Sequence, residues 1–202
     1  MNAGQMAENY NSLAKHWAGE DFNTMNGLKQ HRVALQFSKS RKKAIDIGCG
    51  SSGRILHLFH AEGFETIEGL DQSAEMLRYA RMKQPEAAFH EADISEWEFP
   101  GKYDFISAWD SIWHVPLELQ EGVLEKIGNS LSDDGVFIFT IGGLDCAGEA
   151  TNPFQGVPLY HATLGIPKVL EIMRRCSCVV RHLEYDQHPE LHVYLVVQKT
   201  AN

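Results

Sequence analysis

At 202 residues, with 44% hydrophobic and 22% charged positions, the chain is long enough for one globular domain with a sizeable core. A formal net charge of -9 with no dense lysine and arginine block argues against a protein that wraps nucleic acid. The absence of any membrane-length apolar run, and of a signal-peptide pattern over residues 1–30, argues against a membrane partner and for a cytoplasmic location.

Four cysteines, Cys49, Cys146, Cys176 and Cys178, make no CxxC pair. They read as free thiols in a reducing compartment, with no metal site. In chain order, Met6, Tyr10, Leu13, Ala14 and Trp17 recur at helical spacing up to Gly19, and a second helix is expected over residues 28–37. Residues 44–47 form a first strand, which runs into a glycine-rich turn and a helix carrying Ile55, Leu56, Leu58 and Phe59. A second strand follows at 66–70, with Asp71 at its end. A helix capped by Ser73 then runs to about Lys83, where Gln84-Pro85 stops it. Residues 87–91 are a weak third strand. Residues 103–109, apolar on both faces, form a central fourth.

Pro116 opens a helix over 117–131, Asp133-Asp134-Gly135 is a turn, and 136–141 is the fifth strand. The stretch 142–158 reads as a loop, Tyr160-His161 as the start of the last helix, and 167–175 as its body. Strands at 179–185 and 191–199 are linked too closely for a parallel crossover, so they pair antiparallel. His182, His188 and His192 in this hairpin are expected at the surface. The alternation predicts an α/β fold, a doubly wound sheet with helices on both faces. One domain is expected over residues 1–202: a helical cap (1–40), a ligand-binding core (41–141), and an insert, last helix and hairpin (142–202).

Gly48, Gly50 and Gly53 stand where a strand meets a helix, a place suited to positive φ and to close approach of a ligand. Asp71, at the end of the next strand, suits a ribose diol, and Asp93, at the end of the third, suits an adenine edge. The spacing alone fits either a dinucleotide or S-adenosylmethionine. Two features favour the second. Asp46, two residues before Gly48, can face an amino-acid ammonium, and the antiparallel ending leaves no second mononucleotide half.

The sequence resembles the class I S-adenosylmethionine-dependent methyltransferases, especially the small, single-domain, small-molecule type. The residues that carry the resemblance are Asp46-Ile47-Gly48-Cys49-Gly50-Ser51-Ser52-Gly53, Glu68-Gly69-Leu70-Asp71-Gln72-Ser73 with Met76-Leu77, Ala92-Asp93-Ile94, Tyr103-Asp104-Phe105-Ile106 with His114-Val115, and Leu131-Ser132-Asp133-Asp134-Gly135-Val136. It covers residues 40–141 strongly and the hairpin more loosely. It implies a Rossmann-like seven-stranded sheet of order 3-2-1-4-5-7-6 with strand seven antiparallel and an N-terminal helical lid.

It implies further that Gly48, Cys49 and Gly50 approach the methionine part and ribose, with Asp71 on the ribose hydroxyls. Gln72, Met76, Asp93 and Ile94 would lie around the adenine, and Trp109 and Asp110 at the sulfonium end. The cofactor implied is S-adenosyl-L-methionine, with S-adenosyl-L-homocysteine as product. Trp109-Asp110-Ser111-Ile112 departs from the Asn/Asp-Pro-Pro-aromatic run common in amino-methylating members, which disfavours nucleobase or amide acceptors.

The expected activity is methyl transfer to an oxygen or nitrogen of a small molecule, by a monomer or homodimer. The alternatives are a non-catalytic binder of the same cofactor and a dinucleotide-dependent oxidoreductase. His114 is the first candidate general base and Asp110 the second. Tyr10 and Trp17 are candidate lid residues, and Trp113, Phe154, Tyr160 and His161 are candidates to wall the substrate. Each of these also has a plain reading as core or cap.

Overall fold

The computed structural model describes residues 3–19 and 22–201. The elements are α1 (Ala3–Ala18), α2 (Leu28–Leu35), β1 (Lys43–Ile47), α3 (Arg54–Ala61), β2 (Thr66–Asp71), α4 (Ala74–Lys83), β3 (Ala88–Glu91), β4 (Tyr103–Ala108), α5 (Leu117–Asn129), β5 (Leu131–Gly142), β6 (Gly148–Phe154), β7 (Val157–Thr163), α6 (Ile166–Arg175), β8 (Cys178–Tyr185) and β9 (His192–Lys199). Seven strands form one sheet of order β3-β2-β1-β4-β5-β9-β8. The pairs up to β5 are parallel, and β9 runs antiparallel to both β5 and β8. Counting within the sheet, this is the order 3-2-1-4-5-7-6 with an antiparallel seventh strand.

Strand alternation divides the core between two faces. On one, Phe137, Phe139 and Ile141 of β5 and Val193, Leu195 and Val197 of β9 pack against Val123 and Ile127 of α5 and Val169 and Ile172 of α6. On the other, Val136, Ile138, Tyr194 and Val196 meet Ala34 and Leu35 of α2, Leu56 and Phe59 of α3 and Leu77 of α4. Each such fully buried aliphatic or aromatic side chain contributes roughly 1.5–3 kcal/mol relative to exposure. A third cluster lies over the carboxyl ends of the strands, where Met6 and Leu13 of α1 pack on Leu159, Tyr160 and Ala162 of β7.

Two segments differ from the sequence reading. Residues 142–158 are not a plain loop: β6 and β7 pair as an antiparallel hairpin, with Pro153 opposite Pro158. Gln155 and Gly156 make its two-residue turn, both at positive φ (49° and 80°) as such a turn requires. Tyr160 and His161 therefore lie in a strand and do not start the last helix. The prolines and the left-handed glutamine hide this hairpin from sequence patterns. The second difference lies at 132–135, which bulges within β5 as its register to β4 jumps from Tyr103–Leu131 to Phe105–Val136.

The chain turns one way from β1 to β2 and the other way to β4, so a crevice opens at the carboxyl ends of these strands. Helix α1 and the β6–β7 hairpin roof it. Asn9 of α1 donates to the Pro158 carbonyl (2.8 Å), and Asn11 accepts from Ser73 Oγ at the start of α4 (2.6 Å).

Candidate active site

The turn after β1 holds Gly48, Gly50 and Gly53 at φ 68°, 59° and 67°, where a Cβ is strained. Their roles differ. A Cβ on Gly48 would sit 2.3 Å from the Ser111 Cβ, so this glycine makes room for Ser111, which donates to the Ile47 carbonyl (2.8 Å). A Cβ on Gly50 would meet nothing within 4 Å, because it would point into open space. Gly50 is thus the place where a ligand can reach the backbone.

Asp71 ends β2 and closes the same corner. Its Oδ2 accepts from the Gly50 amide and its Oδ1 from the Ser73 amide, both at 2.9 Å. Burial raises its pKa to about 6, against the pull of those amides. Ser73 caps α4 by accepting from the Met76 amide.

Asp46 lies at the foot of the crevice, 4% exposed, and shares a hydrogen bond with Ser107 Oγ (2.7 Å). Burial pushes its carboxyl up to about 7. Arg54, the first residue of α3, turns into the same space, donating to the Asn26 carbonyl and to Ser52 Oγ (both 2.8 Å) and lying over the Phe22 ring. Burial lowers its pKa, while Asp46 and Asp110 work the other way. Burial also raises the Cys49 thiol well above its ordinary range, which makes it a small apolar neighbour of the turn and not a thiolate.

These groups line one cleft of about 400 Å³. Of the residues singled out by sequence, Tyr10, Trp17, Asp46, Gly48, Cys49, Gly50, Asp71, Gln72, Met76, Asp93, Ile94, Trp109, Asp110, Trp113, His114 and His161 all border it. Tyr160 does not. It alternates away from His161 along β7, and its hydroxyl donates to Glu149 (2.7 Å) and accepts from the Leu117 amide (3.2 Å). Trp109 touches the cleft but is chiefly packing, 4% exposed, with its ring under Gly27 and near His31, His192 and Tyr194. Trp17 stacks on Phe154 (5.0 Å between centroids), joining α1 to the hairpin across the roof. Among the described residues, two buried side-chain polar atoms lack a partner, Trp17 Nε1 and Ser51 Oγ, and both belong to residues of the cleft wall.

His114 has both ring nitrogens engaged. Nδ1 faces the Tyr160 carbonyl (2.6 Å), which only accepts, so Nδ1 carries the proton. Nε2 then accepts from Trp113 Nε1 (2.9 Å) and from the Tyr10 hydroxyl (2.6 Å). Burial lowers its pKa to about 3. Asp110 is arranged differently, at φ 53°, with its amide donating to Thr140 Oγ1 (2.8 Å) and its carboxylate facing His192 Nε2 (2.9 Å).

A family profile described as Methyltransferase domain matches residues 21–182. The chain belongs to this methyltransferase-domain family.

It is 27% identical over 138 residues to a dTDP-3-amino-3,6-dideoxy-alpha-D-glucopyranose N,N-dimethyltransferase of Streptomyces fradiae, a match covering 67% of this chain and 52% of that protein. It is 33% identical over 95 residues to a trans-aconitate 2-methyltransferase of Rhizobium etli, covering 47% and 36%. The chain therefore spans about half, or less, of the length of these curated relatives. A crystal structure of an S-adenosylmethionine-dependent methyltransferase from Clostridium acetobutylicum superposes with a TM-score of 0.71 at 14% identity, covering 95% of this chain and 99% of that one.

Sequence reasoning about this methyltransferase-domain chain missed Arg54, Asn26, Phe22 and His192. Arg54 follows the glycine turn directly, but nothing in its neighbourhood says that a cation there turns into the cleft. His192 was expected at the surface and is 8% exposed, because its ring turns in under the end of β4 toward Asp110.

Proposed function

We propose that this methyltransferase-domain chain transfers the methyl group of S-adenosylmethionine to a nitrogen or oxygen of a small molecule. The observation that carries the reading is the joined corner of Gly50 and Asp71, where an open backbone position and a half-buried carboxylate face one cleft. The residues fit the cofactor. Gly50 leaves space where a nucleoside must approach, and Asp71 keeps lone pairs free for a ribose diol beyond the two amides it accepts. Asp46 offers a carboxylate to an ammonium, and Arg54 a cation to a carboxylate. Gln72, Met76, Asp93 and Ile94 form the adenine side. Residues 1–202 are taken as one domain, with 1–40 and the β6–β7 hairpin as its cover.

The cofactor, when bound, supplies a methyl group on a sulfonium that is already a good leaving group. The chain's own contribution is then placement and exclusion of water, worth up to roughly 7–11 kcal/mol when alignment is good. Tyr10, Trp17, Trp113 and Phe154 wall the acceptor side. Of the two candidate bases, Asp110 is the better placed. His114 has given its Nε2 lone pair to Tyr10 and Trp113, so its part is to tie α1 to the segment after β4. The cleft stays open beside Asp110, which favours an enzyme over a binder with a filled acceptor side.

Titration calorimetry with S-adenosylmethionine, S-adenosylhomocysteine and NAD tests the reading. The first two should bind and NAD should not, and Asp71→Ala should abolish binding. NAD binding without an S-adenosylhomocysteine signal, or unchanged affinity in the Asp71 variant, would overturn it.

A further inference from the structure

Asp110 belongs to a chain of side chains that runs from the cleft to the loop between β8 and β9. Its Oδ1 lies 2.9 Å from His192 Nε2, and its Oδ2 accepts from Asn26 Nδ2 at 3.3 Å. On the far side, His192 Nδ1 lies 2.5 Å from Asp186 Oδ1, and Asp186 Oδ2 accepts from Gln30 at 2.7 Å. Both nitrogens of His192 therefore face carboxylates. A carboxylate can only accept when ionised, so the imidazole is the donor at both ends and is held as a cation. Burial alone would lower its pKa; the hydrogen bonds and charges of Asp110 and Asp186 outweigh that and raise it.

Two anions around one cation leave one net negative charge. It has only one way out, because the side chains of His192 and Asp186 are 9% and 5% exposed while that of Asp110 is 30% exposed. That exposure opens into the cleft.

The other groups at this end do not cancel the charge. His114 is neutral, as argued above, and burial lowers the His161 pKa too. Arg54 feels the Asp110 charge, but its guanidinium donates to Asn26 and Ser52, no ion pair joins it to Asp110, and in the methyl-transfer reading it faces the cofactor carboxylate. The same cleft is lined by the aromatic rings of Tyr10, Trp17, Trp113 and Phe154, of which Trp113 lies against His192. A carboxylate with free lone pairs inside aromatic walls suits a protonated amine and repels a carboxylate.

We propose that Asp110 anchors an amine of the acceptor, and that His192 and Asp186 are positioning residues that hold Asp110 for it. This specifies the acceptor class and rests on the methyl-transfer reading above.

The test uses the full chain saturated with S-adenosylhomocysteine, with benzylamine, benzyl alcohol and benzoate as probes in ligand-observed NMR titrations. Benzylamine should bind at least about tenfold more tightly than either matched probe, the size of effect expected for one charge-assisted hydrogen bond. Asp110→Asn should abolish that preference. His192→Ala should cut benzylamine affinity by about tenfold without changing S-adenosylhomocysteine affinity. His192→Gln, whose amide can still donate to Asp110, should restore most of it. A merely structural His192 would lower melting temperature and both affinities together, with no rescue of the preference.

No preference for benzylamine, no benzylamine binding at all, or an unchanged preference in His192→Ala would overturn the proposal while leaving cofactor binding intact. Failure of the unmodified chain to bind S-adenosylhomocysteine would instead remove the methyl-transfer reading on which it rests.

Discussion

Ser107 Oγ lies 2.7 Å from Asp46 Oδ1 and also 2.9 Å from His31 Nε2, and its one proton cannot serve both. His31 Nδ1 faces the Gly27 carbonyl (2.7 Å) and so carries a proton, which makes Nε2 an acceptor when the ring is neutral. The chain of bonds closes if Asp46 is a carboxylic acid that donates to Ser107 while Ser107 donates to His31. Burial favours that state from both ends, raising Asp46 to about 7 and lowering His31 to about 4. An ammonium brought beside Asp46 would favour its ionised form and work against that protonated state.

The consequence for stability has a definite sign. Between the ordinary carboxyl value of 3.8 and about 7, folded Asp46 binds a proton that the unfolded chain does not. Its contribution therefore falls as pH rises through that window. Asp46→Asn can donate to Ser107 as the protonated acid does and has no such penalty. The ligand-free variant should be more stable than the unmodified chain at pH 8, by on the order of a few kcal/mol, with the gap closing toward pH 4. Chemical denaturation at the two pH values checks this, and the same variant should bind S-adenosylmethionine more weakly.

His114 carries the opposite expectation. Its folded pKa of about 3 lies below the ordinary 6.5, so its contribution to stability is complete above pH 6.5 and is lost as pH falls toward 3. Nitrogen shifts of its ring should show a single Nδ1–H tautomer from pH 7 to pH 5, and a titration near pH 6 would contradict the assignment. Tyr10→Phe removes one of the two donors to Nε2 and should cost about 1 kcal/mol of stability.

The glycines of the turn should separate. Gly48→Ala meets both positive φ and a Cβ at 2.3 Å, and should unfold or severely destabilise the chain. Gly50→Ala meets only the backbone penalty, about 1–2 kcal/mol, and should fold. Its loss should appear in calorimetry as weakened S-adenosylhomocysteine binding.

Trp17 and Phe154 stack across the roof at 5.0 Å with an interplanar angle of 14°. Phe154→Ala should raise the acceptor KM more than it lowers kcat, and should raise proteolytic sensitivity of the β6–β7 hairpin. A stacked pair of this kind is worth about 0.5–1.5 kcal/mol beyond its area.

What the sequence determined lies where local chemistry is decisive. Alternating apolar strands and helices, a glycine turn after residue 47, Ser73 as a cap and a link too short for a crossover give an α/β sheet ending in an antiparallel hairpin and put Asp46, Gly50, Asp71 and Asp93 at one edge, while the strand order followed from the family resemblance. Those signals act over a few residues, so they are visible in a string. The tertiary structure decided the rest. Only packing against the end of β4 turns His192 inward to Asp110. Only the roof built by α1 and the β6–β7 hairpin fills both nitrogens of His114, and only burial gives Asp46 its proton. Proton position depends on desolvation and on partners far apart in the chain (Asp110 and His192 are 82 residues apart), and no local pattern records them.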